Sequence, residues 1–102
     1  MNKISRQAVY DYLAAIPTGK VVTYGMIARH LGNEKWARAV GNILHGNPDG
    51  VKYPCYKVVS ASGRLSGNYA FGGPEQQRRL LHSDGIEVVG DKVDLTRYKW
   101  ES

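Results

Sequence analysis

Cys55 is the residue best placed by type to do covalent chemistry, and it is the only cysteine in the chain. It lies in Tyr53-Pro54-Cys55-Tyr56-Lys57-Val58-Val59, a loop running into a short apolar, β-prone stretch. Pro54 fixes its own φ and restrains the residue before it, so the thiol is presented from a stiff loop. A thiol attacks as the thiolate and needs a lowered pKa or a base beside it. The candidates are the Tyr56 phenol, Lys57 and a distant acid such as Asp84; no Cys–His pair of the protease type is visible. Upstream, Asn47-Pro48 lies in a second tight turn, Gly46-Asn47-Pro48-Asp49-Gly50. A lone cysteine excludes an intramolecular disulfide and a Cys-cluster zinc site. His30, His45 and His82 share no metal-ligand spacing, so no metal is expected.

The elements that must carry these residues are short. Ala8, Val9, Tyr12, Leu13 and Ile16 recur at helical spacing and predict a helix that starts near Ser5 as N-cap and stops at Pro17. Thr18-Gly19-Lys20 reads as a turn and Val21-Val22 as a short extension. Thr23 can cap a second helix from Tyr24 to about Leu31, broken by Gly32-Asn33. A third helix is expected from about Glu34 to His45, with Trp36, Val40, Ile43 and Leu44 facing inward. Two short helices joined by a Gly-containing turn, after a third packing helix, form the helix-turn-helix pattern. Beyond the cysteine, Ser62-Gly63 and Ser66-Gly67-Asn68 predict a long flexible loop to Phe71-Gly72-Gly73. Pro74 and Glu75 open a fourth helix that runs to about Ser83 and ends at Gly85. Ile86–Val89 and Lys92–Leu95 flank Gly90-Asp91 as a hairpin would. The tail Arg97-Tyr98-Lys99-Trp100 offers aromatics that can pack back on the core.

The chain has 102 residues, enough for one small domain spanning 1–102 that buries a core without staples. Hydrophobic residues at 42% and charged residues at 23% are ordinary for globular chains and argue against full disorder. No run approaches the roughly 18 apolar residues of a membrane span. The N-terminus lacks a signal-peptide core, so a cytoplasmic protein with no membrane association is expected. The net charge is +5, and it is unevenly placed. Residues 18–70 carry seven bases against two acids, while the flanking segments are nearly neutral. A basic middle, with Lys35 and Arg38 on the second helix of the pair, points to a polyanion and tilts the reading towards DNA.

Five motifs occur in order: Val22-Thr23-Tyr24-Gly25, Ala37-Arg38-Ala39-Val40-Gly41, Gly46-Asn47-Pro48, Pro54-Cys55-Tyr56-Lys57-Val58-Val59, and Leu80-Leu81 before Gly85-Ile86. Together they resemble the DNA-binding, active-site domain of the methylated-DNA-protein-cysteine methyltransferases, over roughly residues 5–89. The resemblance implies a mainly α fold with a small β component, a winged-helix-like helix-turn-helix DNA-binding domain. It implies a monomer acting without cofactor on double-stranded DNA that contains alkylated guanine. Cys55 matches the alkyl-accepting cysteine, and Asn47 the asparagine that orders the active-site turn. Arg38 matches the arginine that fills the space of the extruded base, and Tyr24 the tyrosine that pushes during flipping. Ala37 and Gly41 would allow close approach of the helix to the groove; Val58, Val59 and Tyr69 would border the lesion pocket. Such chemistry requires flipping because a stacked base is unreachable.

The chain departs from the family pattern beside the thiol. Tyr56 stands where the family has His, Lys57 where it has Arg, and Asp84 where it has the Glu that orients the His. An unperturbed phenol, with a pKa near 10, is a poor base at neutral pH. The chain also shares compact size and a Tyr98-Lys99-Trp100 tail with alkyltransferase-like proteins, which bind alkylated DNA and recruit nucleotide excision repair without transfer. Those relatives replace the cysteine. Its retention here favours single-turnover alkyl transfer to Cys55; Tyr56 favours the non-catalytic binder.

Overall fold

The computed structural model describes residues 4–65 and 72–101. Helix α1 spans Arg6–Ala15, with the Ser5 hydroxyl accepting from Ala8 N at 3.2 Å. Pro17 forces the preceding Ile16 out of helical geometry (φ −65°, ψ 122°), and this ends the helix. Strand β1 (Val22–Thr23) leads into α2 (Tyr24–His30), capped by the Thr23 hydroxyl on Met26 N at 3.1 Å.

The expected third helix divides in two. Asn33 Oδ1 accepts from Lys35 N, and Glu34–Trp36 form a 3-10 turn. Trp36 sits near φ −81°, ψ 6°, so α3 proper spans Ala37–His45. Lys35 therefore lies on the connecting turn and not on α3. The two helices and their connection form the helix-turn-helix, with Val40, Ile43 and Leu44 buried beneath.

Strand β2 (Val58–Val59) pairs in parallel with β1, Val22 against Val58 and Thr23 against Val59. Helix α4 covers Gly73–Ser83. Strands β3 (Val88–Val89) and β4 (Lys92–Val93) form the expected antiparallel hairpin around Gly90 at φ 66°. The second arm is shorter than its sequence suggests. Asp94 accepts from Thr96 N at 3.0 Å and caps a short helix, α5 (Leu95–Tyr98), where a strand to Leu95 was expected. The tail then returns: Val21 N donates to Tyr98 O, Trp100 N donates to Val21 O, and the Trp100 ring lies 5.3 Å from Tyr12. The fold is mainly α with a small β component.

Two apolar clusters result. One gathers α1, α2, α3, Cys55 and Val58; the other gathers Val21, Val59, Leu81, Ile86, Val93 and Tyr98. Tyr56 packs against both, so the thiol turn sits at their seam. Among the described residues, no helix is long and apolar enough to cross a membrane.

Candidate functional site

Cys55 opens a 3-10 turn, Cys55–Lys57, and its approach is a tight reversal. Cys55 N donates to Tyr53 O at 2.8 Å across Pro54, whose φ −75° and ψ 76° are those of an inverse γ-turn. The same carbonyl accepts from Asn47 Nδ2 at 2.7 Å. One oxygen thus fixes both the cysteine backbone and the asparagine side chain. Asn47 Oδ1 accepts in turn from Asp49 N at 3.0 Å, which leaves the amide no freedom to rotate.

The thiol is buried, and burial pushes its pKa up; a hydrogen bond from the Asn47 side chain acts in the opposite direction. Cys55 therefore rests as the neutral thiol at pH 7. Tyr56 offers no base. Burial and the neighbouring Asp84 carboxylate push its phenol up to about 12, and its hydroxyl donates to Asp84 Oδ1 at 3.4 Å. Nucleophilic reactivity is thus expected to follow the thiolate fraction, rising about tenfold per pH unit from about pH 6 to pH 8, with no inflection from Tyr56. Single-turnover adduct formation against pH checks this; a plateau at neutrality would mean a base acts on the thiol.

Behind the turn lies a buried ionic node that the sequence hinted at only through Asp84. Lys57 turns inward: its Nζ donates to Ile16 O (3.3 Å) and Pro17 O (3.4 Å) and pairs with Asp84 Oδ2 at 3.4 Å. An ammonium at the carbonyl end of α1 meets the negative end of the helix dipole. Gly19 N donates to the same Asp84 oxygen at 2.9 Å. Lys57 is thereby withdrawn from the basic surface that the charge count suggested. Gln77, in the middle of α4 and fully buried, donates from Nε2 to Tyr56 O (3.0 Å) and Val58 O (3.1 Å). It clamps the backbone on both sides of Lys57. A polar side chain four residues before the buried Leu81 was the available sequence signal for it.

The remaining predicted residues fall in two groups. Arg38 is exposed on the first turn of α3, and Ala37 beside it is partly packed on the core. A Cβ built on Gly41 would lie 3.9 Å from Tyr24 Cε1, so the Tyr24 ring rests against bare α3 backbone. Structure thus brings Tyr24 and Gly41 together across the two helices. Val58 and Val59 are buried in β2, one in each core cluster. Tyr69 lies outside the described residues.

A family model described as 6-O-methylguanine DNA methyltransferase, DNA binding domain, matches residues 5–86. The chain belongs to this methyltransferase family. Among similar proteins, the Picrophilus torridus bifunctional methyltransferase/endonuclease is 45% identical over 94 residues. That alignment takes in 92% of this chain and 31% of the other, so the chain spans about a third of that relative. The Escherichia coli DNA base-flipping protein is 39% identical over 97 residues, covering 92% of this chain and 72% of its own. In structure, Schizosaccharomyces pombe Atl1 in complex with damaged DNA containing O6-carboxymethylguanine superposes with a TM-score of 0.86 at 31% identity, covering 95% and 94% of the two chains. The family thus includes relatives named for transfer and relatives named for base flipping.

Proposed function

We propose that this protein is a DNA repair protein that flips alkylated guanine out of a duplex and transfers the alkyl group to Cys55. The observation that carries this reading is the fixed thiol turn: Cys55, tied with Asn47 to one carbonyl, follows directly on the helix-turn-helix. In the transfer, a bond forms between Sγ and the alkyl carbon as the bond from that carbon to guanine O6 breaks. The thiol proton is lost and the restored guanine takes one up. No cofactor enters, and one protein molecule is consumed per lesion. Asn47 favours the thiolate; Tyr56 stays protonated on Asp84 and supplies no base, so transfer is slow near neutral pH. In this reading Tyr24, Arg38, Ala37, Gly41 and Lys35 meet the DNA, and the protein acts as a cytoplasmic monomer.

Incubation with a duplex carrying methylated guanine tests it. The Cys55 peptide is expected to gain the mass of one methylene. No adduct, together with tight lesion binding, would overturn transfer and leave the second reading: a binder of alkylated guanine that recruits nucleotide excision repair. The Tyr56 phenol, held at about 12, favours that alternative.

Arg38 is the side chain that replaces the extruded base in this reading. Arg38→Ala is expected to weaken lesion-duplex affinity by about 1–3 kcal/mol, the scale of one base-stacking interaction, with the melting temperature unchanged because the side chain is exposed. A binding titration beside a thermal melt checks both halves.

A further inference from the structure

Helix α3 ends at His45 and the thiol turn begins beyond Pro54, and residues 46–53 join them. This loop is braced along its length. Asp49 Oδ1 accepts from both Val51 N and Lys52 N at 3.0 Å, and Tyr53 N donates to Asp49 O at 2.9 Å. The Tyr53 ring stacks on Tyr10 with centroids 4.9 Å apart. Tyr10 in turn donates its hydroxyl to Ile43 O, in the last turn of α3, at 3.2 Å. The loop is therefore fastened to α3 through α1. At its tip Val51 is 94% exposed, and the exposed Lys52 beside it holds its ammonium 5.4 Å from the Tyr53 centroid. An exposed valine alone signifies nothing. Here it is paired with a cation on a braced loop, in the segment of chain that joins α3 to the thiol turn.

We propose that the Val51–Lys52 tip is a second DNA contact, separate from α3, in which Lys52 meets a phosphate of the lesion-bearing strand and Val51 packs on the adjoining deoxyribose. The proposal rests on the reading that α3 docks on DNA and the flipped base reaches Cys55. In that reading the duplex and the flipped base lie at the two ends of this segment. The nearby Asp49 carboxylate stays anionic, but its Oδ1 is turned back onto the N–H groups of Val51 and Lys52. A preformed loop loses little freedom on docking, so a modest contact adds to affinity.

Affinity for a duplex with one methylated guanine, measured against salt concentration, tests this for wild type, Lys52→Ala and Val51→Ser. Lys52→Ala is expected to flatten the slope of log affinity on log salt by about 0.9, the loss of one phosphate contact. Val51→Ser is expected to weaken binding by about fivefold or less without changing the slope. Both side chains are exposed, so both variants should melt with the wild type. Wild type that binds while both variants match its affinity and slope would overturn this contact alone. Wild type that does not bind the lesion duplex would overturn the functional reading and this contact with it.

Discussion

Cys55→Ser is expected to abolish alkyl capture while lesion binding persists. The hydroxyl occupies nearly the same volume, so the γ-turn across Pro54 and the Asn47 bond to Tyr53 O should survive. What changes is the nucleophile. An alkoxide is far less accessible than a thiolate, and no side chain here can draw the proton: Tyr56 is held protonated and its hydroxyl is committed to Asp84. Removing a nucleophile from an assembled site costs at least about a thousandfold in rate. Mass spectrometry of the Cys55 peptide and a binding titration on the same lesion duplex separate the two effects. Persistent adduct in the serine variant would place the acceptor elsewhere; lost binding would mean that the thiol also holds the base.

The largest expected effect on stability lies behind the thiol. Lys57→Met leaves the largely buried Asp84 without its cation, and the Ile16 and Pro17 carbonyls just past α1 without their donor. Breaking a buried pair by removing one partner costs about 3–5 kcal/mol. For a chain this small, about 3 kcal/mol lowers Tm by roughly 10–20 °C. Replacing both partners, Lys57→Met with Asp84→Leu, should recover much of the loss, since no buried charge then lacks a partner. Thermal melts of the two single variants and the double variant give the coupling directly. Equal losses that simply add would show the two groups to be independent.

Much of this arrangement was legible locally. Ser5 and Thr23 as caps, Pro17 as a stop, Gly90 in the hairpin turn and the paired helices all follow from short-range rules, and the structure agrees. Glu34–Trp36 and Asp94 misled because both boundaries are set by a side chain bonding the backbone two residues on, which pattern alone does not rank against continuing the helix or strand. The site was legible by residue type and not by wiring. Lys57 looked like surface charge because nothing in its neighbourhood reveals that α1 ends above it. Gln77 was overlooked because its partners, Tyr56 O and Val58 O, come from a distant segment. Such links depend on how remote pieces of chain meet, and single-sequence patterning carries little of that.

The parallel pairing of β1 with β2 has a consequence for the order in which the molecule comes together. The helix pair forms from neighbours in sequence, whereas Val58 and Val59 must find Val22 and Thr23 across the whole helix-turn-helix. Non-local pairing is slower than local helix formation. The seating of the thiol turn therefore waits on this long-range pairing, and in the proposed reading a chain caught before it has no fixed acceptor for an alkyl group. Hydrogen exchange checks this: the amides of Lys57 and Val58 are expected to exchange sooner than the buried amides of α3.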